Sequence, residues 1–81
     1  MRNDLYKTKN LHIAAYLYAS NLQLINTSRR GQEIFFEFVP KSRAEELVEH
    51  YFSGEANTNP RELFARLKDL KDLIFQEVKN G

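Results

Sequence analysis

The 81-residue chain contains no cysteine and no tryptophan, one methionine, three glycines and two prolines. Without cysteine it forms no disulfide, zinc–thiolate site or iron–sulfur cluster, and it has no cysteine nucleophile. Nothing in the composition marks an oxidising compartment, so a cytoplasmic location is expected. Three scattered glycines cannot build a phosphate-cradling loop. No apolar run approaches the ~20 residues of a membrane span, and the opening MRNDLYKTKN lacks the apolar core of a signal peptide. An excess of one charge is missing too, since 12 Lys and Arg against 11 Asp and Glu leave +1. Any contact with nucleic acid would therefore rest on local clustering, not on a global field.

What is present reads as an ordinary soluble chain, 42% hydrophobic and 28% charged. The expected organisation is a single small globular domain over 1–81. Its core supplies a stability on the order of 5 kcal/mol, which dimerisation would supplement.

DLYKT (4–8) reads as a short edge strand or an ordered lead-in. TKNLHIAAYLYASN (8–21) reads as a helix, with Thr8 or Asn10 as its cap. Leu11, Ala14, Ala15, Leu17 and Tyr18 share its buried face, and His12, Tyr16 and Ala19 fall on the other. Asn21 suits the left-handed position after the last turn. LQLINTSRRGQEIFFEFV (22–39) reads as a β-hairpin. A three-residue loop, Arg29-Arg30-Gly31, would pair Ser28 with Gln32, Ile25 with Phe35, Leu24 with Phe36 and Leu22 with Phe38. Leu22, Leu24, Ile34, Phe36 and Phe38 then point to one face. Gln23, Ile25, Thr27, Glu33, Phe35, Glu37 and Val39 point to the other.

SRAEELVEHYFSG (42–54) is a second helix, with a Ser42–Glu45 capping box and Gly54 as its stop. Its buried stripe is Ala44, Leu47, Val48, Tyr51 and Phe52. After the polar connector EANTN, residues 59–80 form the longest helix, with Asn59 as cap, Pro60 in the first turn and Glu62 completing an Asn-x-x-Glu box. Leu63, Leu67, Leu70, Ile74 and Val78 cluster on its wheel, Phe64 and Phe75 lie at one margin, and Leu73 falls outside the arc. The expected fold is α+β: a small antiparallel hairpin sheet, with a short N-terminal edge strand, packed on three helices in the order (β)αββαα. The second face of the sheet is expected to be polar and wet.

LYKTKNLHIAAYL, the hairpin ending in IFFEF, the join YFSGEANTNPREL and the closing LKDLK resemble a family of short bacterial and phage proteins catalogued only as a domain of unknown function. The resemblance spans nearly the whole chain. It leads one to expect glycine where this chain has Asn21, which serves the same backbone need. It implies a free-standing small domain from a bacterium or a mobile element, and it brings no catalytic residues.

Catalytic chemistry finds little support in the residues. His12 and His50 are expected on solvent faces of different helices, in no nucleophile or metalloprotease context. Glu45, Glu46 and Glu49 read as a solvated helix face, not a metal site. No enzyme activity, cofactor or metal is expected. Phe35 is the candidate with most to say. On an open sheet face beside Arg29 and Arg30 it could stack an unpaired base, and Lys7, Lys9 and Lys41 would extend the patch if the fold brings them near. Glu33 and Glu37 share that face and oppose phosphate, and the plainer reading packs Phe35 against Ile25 or Tyr6. Exposed Phe35 with Ile25, or Leu73 with its neighbours, could equally form an apolar patch covered by a protein. Lys9, His12 and Tyr16 form a secondary candidate spot. The favoured expectation is a non-enzymatic binding module working through protein–protein contact, with a homodimer as one form of it. The alternative is a nucleic-acid accessory protein using Phe35, Arg29 and Arg30. No membrane role is expected.

Overall fold

The computed structural model describes residues 4–54 and 58–80, with side chains through residue 76. In chain order the elements are β1 (Tyr6–Thr8), α1 (Leu11–Ala19), β2 (Gln23–Arg30), β3 (Glu33–Val39), α2 (Lys41–Ser53) and α3 (Pro60–Asn80). This is the α+β order expected. The strands form one antiparallel sheet in the order β1-β3-β2, so the Phe-rich strand is central and hydrogen-bonded on both edges. Residues 55–57 of the polar connector and the side chain of Val78 lie outside the described residues.

The hairpin register departs from expectation. Its loop is the two residues Gly31 and Gln32, because Arg30 already pairs with Glu33 and Arg29 with Ile34. Gly31 has φ of 60° and Gln32 does not enter positive φ, the pattern of a type II′ turn. Such turns match the right-handed twist of the flanking strands, which is why the shorter loop wins. Carried along the whole hairpin, that register would put Leu24 opposite Val39, on the wrong face. A bulge at Ile25 corrects it, so that Leu24 faces Phe38 while Asn26 faces Glu37. Ser28, not Ile25, therefore sits opposite Phe35, and Thr27 moves to the core face opposite Phe36.

α1 is buried almost all round. Asn10 caps it, its side chain accepting from the backbone N–H of His12 (3.0 Å) and Ile13 (3.1 Å). Asn21 ends it at φ of 69°. The Asn21 N–H donates to the Tyr18 carbonyl and the Leu22 N–H to that of Leu17, a Schellman closure. Ile13 through Leu17 are all buried, and Tyr16, expected on the outer face, is only 4% exposed. Phe36 and Phe38 of the sheet share the core with α1, and α3 and α2, the latter also packed on β3 and β1, lie against it. A helix enclosed in this way has no solvent face to spare for an aromatic.

α2 starts one residue before the expected cap. Pro40 stands at the N-cap without a side-chain bond, so the Ser42–Glu45 box does not form. The Lys41 N–H is satisfied instead by the Asp4 carbonyl (3.0 Å) and carboxylate (3.2 Å). Gly54 closes the helix at φ of 81°. Asn59 caps α3, accepting from the Arg61 N–H at 2.9 Å. Leu70 is fully buried and Leu63, Leu67, Leu73 and Ile74 are packed against the core. Leu73 is thus not an outlier. α1 lies along α3 and widens its buried arc toward Arg66, whose guanidinium carbon stands 5.1 Å from the Tyr18 ring centroid.

Candidate functional site

The residues singled out from the sequence do not converge. Arg29 and Arg30 are consecutive strand residues and so point to opposite faces of the sheet. Arg29 turns back on its own hairpin, its Nε donating to the Gly31 carbonyl at 3.0 Å. Arg30 stays on the open face with Phe35. Ile25, 37% exposed, sits in the bulge three positions from Ser28, the partner of Phe35. Leu73 belongs to the core, on another element. Of the secondary trio, Lys9 pairs with Glu33, His12 is exposed, and Tyr16 is buried.

The open face carries a shaped feature. Lys7, Ser28, Arg30 and Phe35 line a shallow depression of about 200 Å³, with Phe35 half-buried at its floor. The charge around it is balanced. Glu37 faces Lys7 across the strands, its carboxylate 3.7 Å from Lys7 Nζ, and that side chain is only 9% exposed. Glu33 is held by Lys9.

A polar cleft of about 390 Å³ lies between the end of α1, α2 and the start of α3. Tyr16, Ser20, Arg43, His50, Thr58 and Glu62 line it. Two of its charges already have partners: Arg43 is paired with Glu46, and Glu62 with Arg66 at 3.2 Å. The Thr58 hydroxyl is buried with no hydrogen-bond partner. His50 is half-buried here, less exposed than the sequence implied. Among the described residues no group of three His, Asp or Glu is gathered closely enough to hold a metal.

The largest exposed apolar side chains lie elsewhere. Phe52 is 71% exposed, Phe64 69% and Phe75 65%. Phe52 was expected in the buried stripe of α2, but only Ala44, Leu47, Val48 and Tyr51 reach the core. Phe64 and Phe75 are eleven positions apart on α3, about 20° beyond three full turns, and so share a face. Exposed Lys68 and Lys71 stand between them on that face, and exposed Arg61 and Asp72 precede Phe64 and Phe75 by one turn. Glu62 and Asp69 point away from it and bind Arg66, at 3.2 and 3.0 Å. Beside Phe64, an apolar cavity of about 150 Å³ is lined by His12, Ala15, Tyr51, Leu63, Phe64 and Leu67. On α2 the Phe52 face also carries exposed Lys41, Glu45 and Glu49, eleven, seven and three residues earlier. The Phe52 ring meets Tyr51 edge-on, with centroids 5.5 Å apart. The eleven-residue spacing of Phe64 and Phe75 was the legible signal for this surface.

Two titrating groups are displaced. Burial first, and the Glu45 carboxylate second, push the Tyr6 phenol upward. The hydrogen bond that Arg66 donates to the Glu62 carboxylate leads the causes that raise Arg66.

Strand order, helix placement and the two unlike aromatic faces describe a small α+β domain of βαββαα order. The chain belongs to the family described as Domain of unknown function (DUF5659), whose model matches residues 3–76. No curated protein and no solved structure matches it. No described helix is long and apolar enough to cross a membrane.

Proposed function

We propose that this chain is a non-enzymatic binding module that acts through protein–protein contact, using the outer faces of α2 and α3. The observation that carries this reading is the exposure of Phe52, Phe64 and Phe75. Phe52 and Phe64, each more than two-thirds exposed, are a cost in water unless a partner covers them. Aromatic anchors beside a small apolar cavity, with charge around them, are the usual make-up of the energetic centre of an interface. The polar cleft supports catalysis less well, because its arginine and its glutamate are already engaged within their own helices.

The test is retention of a protein partner by the immobilised chain, comparing wild type with Phe64→Asp. A partner, or a second copy of the chain, held by wild type and lost by the variant supports the reading. Retention of nothing, itself included, refutes it.

A second reading keeps nucleic acid in view, because the depression at Phe35 is bordered by Lys7 and Arg30. It predicts single-strand binding that weakens steeply with salt and disappears in Phe35→Ala. Glu37 at the same site works against it, and Arg29, on the other face, does not contribute.

A further inference from the structure

Resting on the protein-contact reading above, we infer that the partner is a second copy of this chain, docked so that α2 of each protomer lies on α3 of the other. The two helices present unlike faces. α3 offers Phe64 and Phe75 with Arg61, Lys68 and Lys71, one acidic residue, Asp72, at the same margin as Arg61, and a cavity of about 150 Å³ beside Phe64. α2 offers Phe52, the most exposed of the large apolar residues, flanked by Glu45 and Glu49, with Lys41 eleven residues before it on the same face. On balance the α3 face is basic beside a hole, with three cations to one anion, and the α2 face is acidic around an aromatic knob, with two anions to one cation.

Symmetry disfavours the simpler pairing of α3 with itself. If α3 met α3 across a two-fold axis with Phe64 against Phe75 of the partner, Lys68 would face Lys71 of the partner on both sides. Like charges brought together in an interface oppose binding. α2 on α3 joins opposite charges, and a two-fold axis makes that contact twice. Closure is favoured because knob and hole are neighbours in one protomer: Tyr51 touches the Phe52 ring and also lines the cavity. Both contacts can therefore sit close to one axis, and the assembly stops at two copies without running on as a filament. The net charge of +1 adds little long-range repulsion between copies.

The experiment is light scattering with sedimentation on the full chain over a wide concentration range, with circular dichroism to confirm that each variant is folded. Wild type is expected at twice the 9.6 kDa chain mass. Glu45→Lys/Glu49→Lys and Lys68→Glu/Lys71→Glu should each weaken self-association at least about tenfold. Mixed one to one, the two variants should dimerise again, since each then meets the opposite charge at both contacts. Phe52→Ser should remain folded and monomeric. A wild type that stays monomeric overturns the inference. So does a dimer insensitive to the charge swaps, or one that persists in Phe52→Ser, because its interface must lie elsewhere. A monomeric wild type that still retains a foreign partner through Phe64 overturns this inference alone. Loss of both self-association and retention overturns the protein-contact reading with it.

Discussion

The rings of Tyr16 and Tyr51 lie with centroids 5.4 Å apart and planes tilted by 46°, joining α1 to α2 at the edge of the core. Tyr16 is nearly fully buried and Tyr51 continues the contact edge-on to Phe52. The pair therefore links the most enclosed helix to the surface proposed for docking. Tyr16→Ala is expected to cost about 3–5 kcal/mol. That is the size of the whole stability of a domain this small, roughly 5 kcal/mol, so the variant should be largely unfolded. The milder Tyr16→Leu and Tyr51→Leu allow a double-mutant cycle by urea denaturation, with an expected coupling of about 0.5–1.5 kcal/mol. Additive effects would show that the rings are neighbours without interacting.

Most of the elements were legible because their signals are local. Asn10, Gly54 and Asn59 act on residues within one turn, and each ends or starts a helix where its chemistry says it should. The strand register was not legible, because it depends on two choices at once. A two-residue loop and a bulge at Ile25 together place Leu24 with Phe38, the same core face that a three-residue loop without a bulge also produces. The hydrophobic pattern satisfies both and cannot separate them. Tyr16 and Leu73 failed for another reason. Helical periodicity finds one buried face, whereas α1 is covered again by helices distant in sequence. Phe52 failed in the opposite sense, since an apolar residue at a helix margin reads as core unless something shows that nothing lies over it.

Gly31 is the residue on which the shorter loop depends. Its φ of 60° is costly for an L-residue, and a Cβ there would meet no atom within 4 Å. The penalty for Gly31→Ala is therefore torsional, about 1–2 kcal/mol. Gln32→Ala, one position on in ordinary backbone, should change stability by less than about 0.5 kcal/mol. Equal effects at the two positions, read from thermal melts at fixed pH, would contradict the turn described.

Tyr6 makes the fold sensitive to alkali. Burial, then Glu45, hold its phenol above its ordinary value of 10.0 in the folded chain. The unfolded chain ionises near that ordinary value. Between the two pKa values the folded state keeps a proton that the unfolded state has lost, so stability falls as pH rises. The contribution of Tyr6 is complete below pH 10 and is lost as pH rises through the folded pKa. Urea unfolding at neutral pH and above pH 10 should show wild type losing more stability than Tyr6→Phe over that interval. An identical loss in the two proteins would remove Tyr6 as a cause.

The six phenylalanines divide into classes that a stability scan can distinguish. Phe36 and Phe38 are 1% and 0% exposed, and truncating either to alanine removes a ring from the centre of the sheet's packed face. The expected loss is about 3–5 kcal/mol, enough to unfold the chain. Phe52 and Phe64 are each more than two-thirds exposed, and serine at either should shift monomer stability by less than about 0.5 kcal/mol. Phe35, half-buried on the open face, should fall between these limits. Measured at concentrations where the chain is monomeric, this ordering follows from burial alone. Measured at high concentration, wild type should melt at a higher temperature than it does when dilute, because association stabilises the folded state by mass action. Phe52→Ser and Phe64→Ser should lose that concentration dependence while keeping the dilute melting temperature. A side chain that matters only when the protein is concentrated is contact surface, and one that matters equally at every dilution is core.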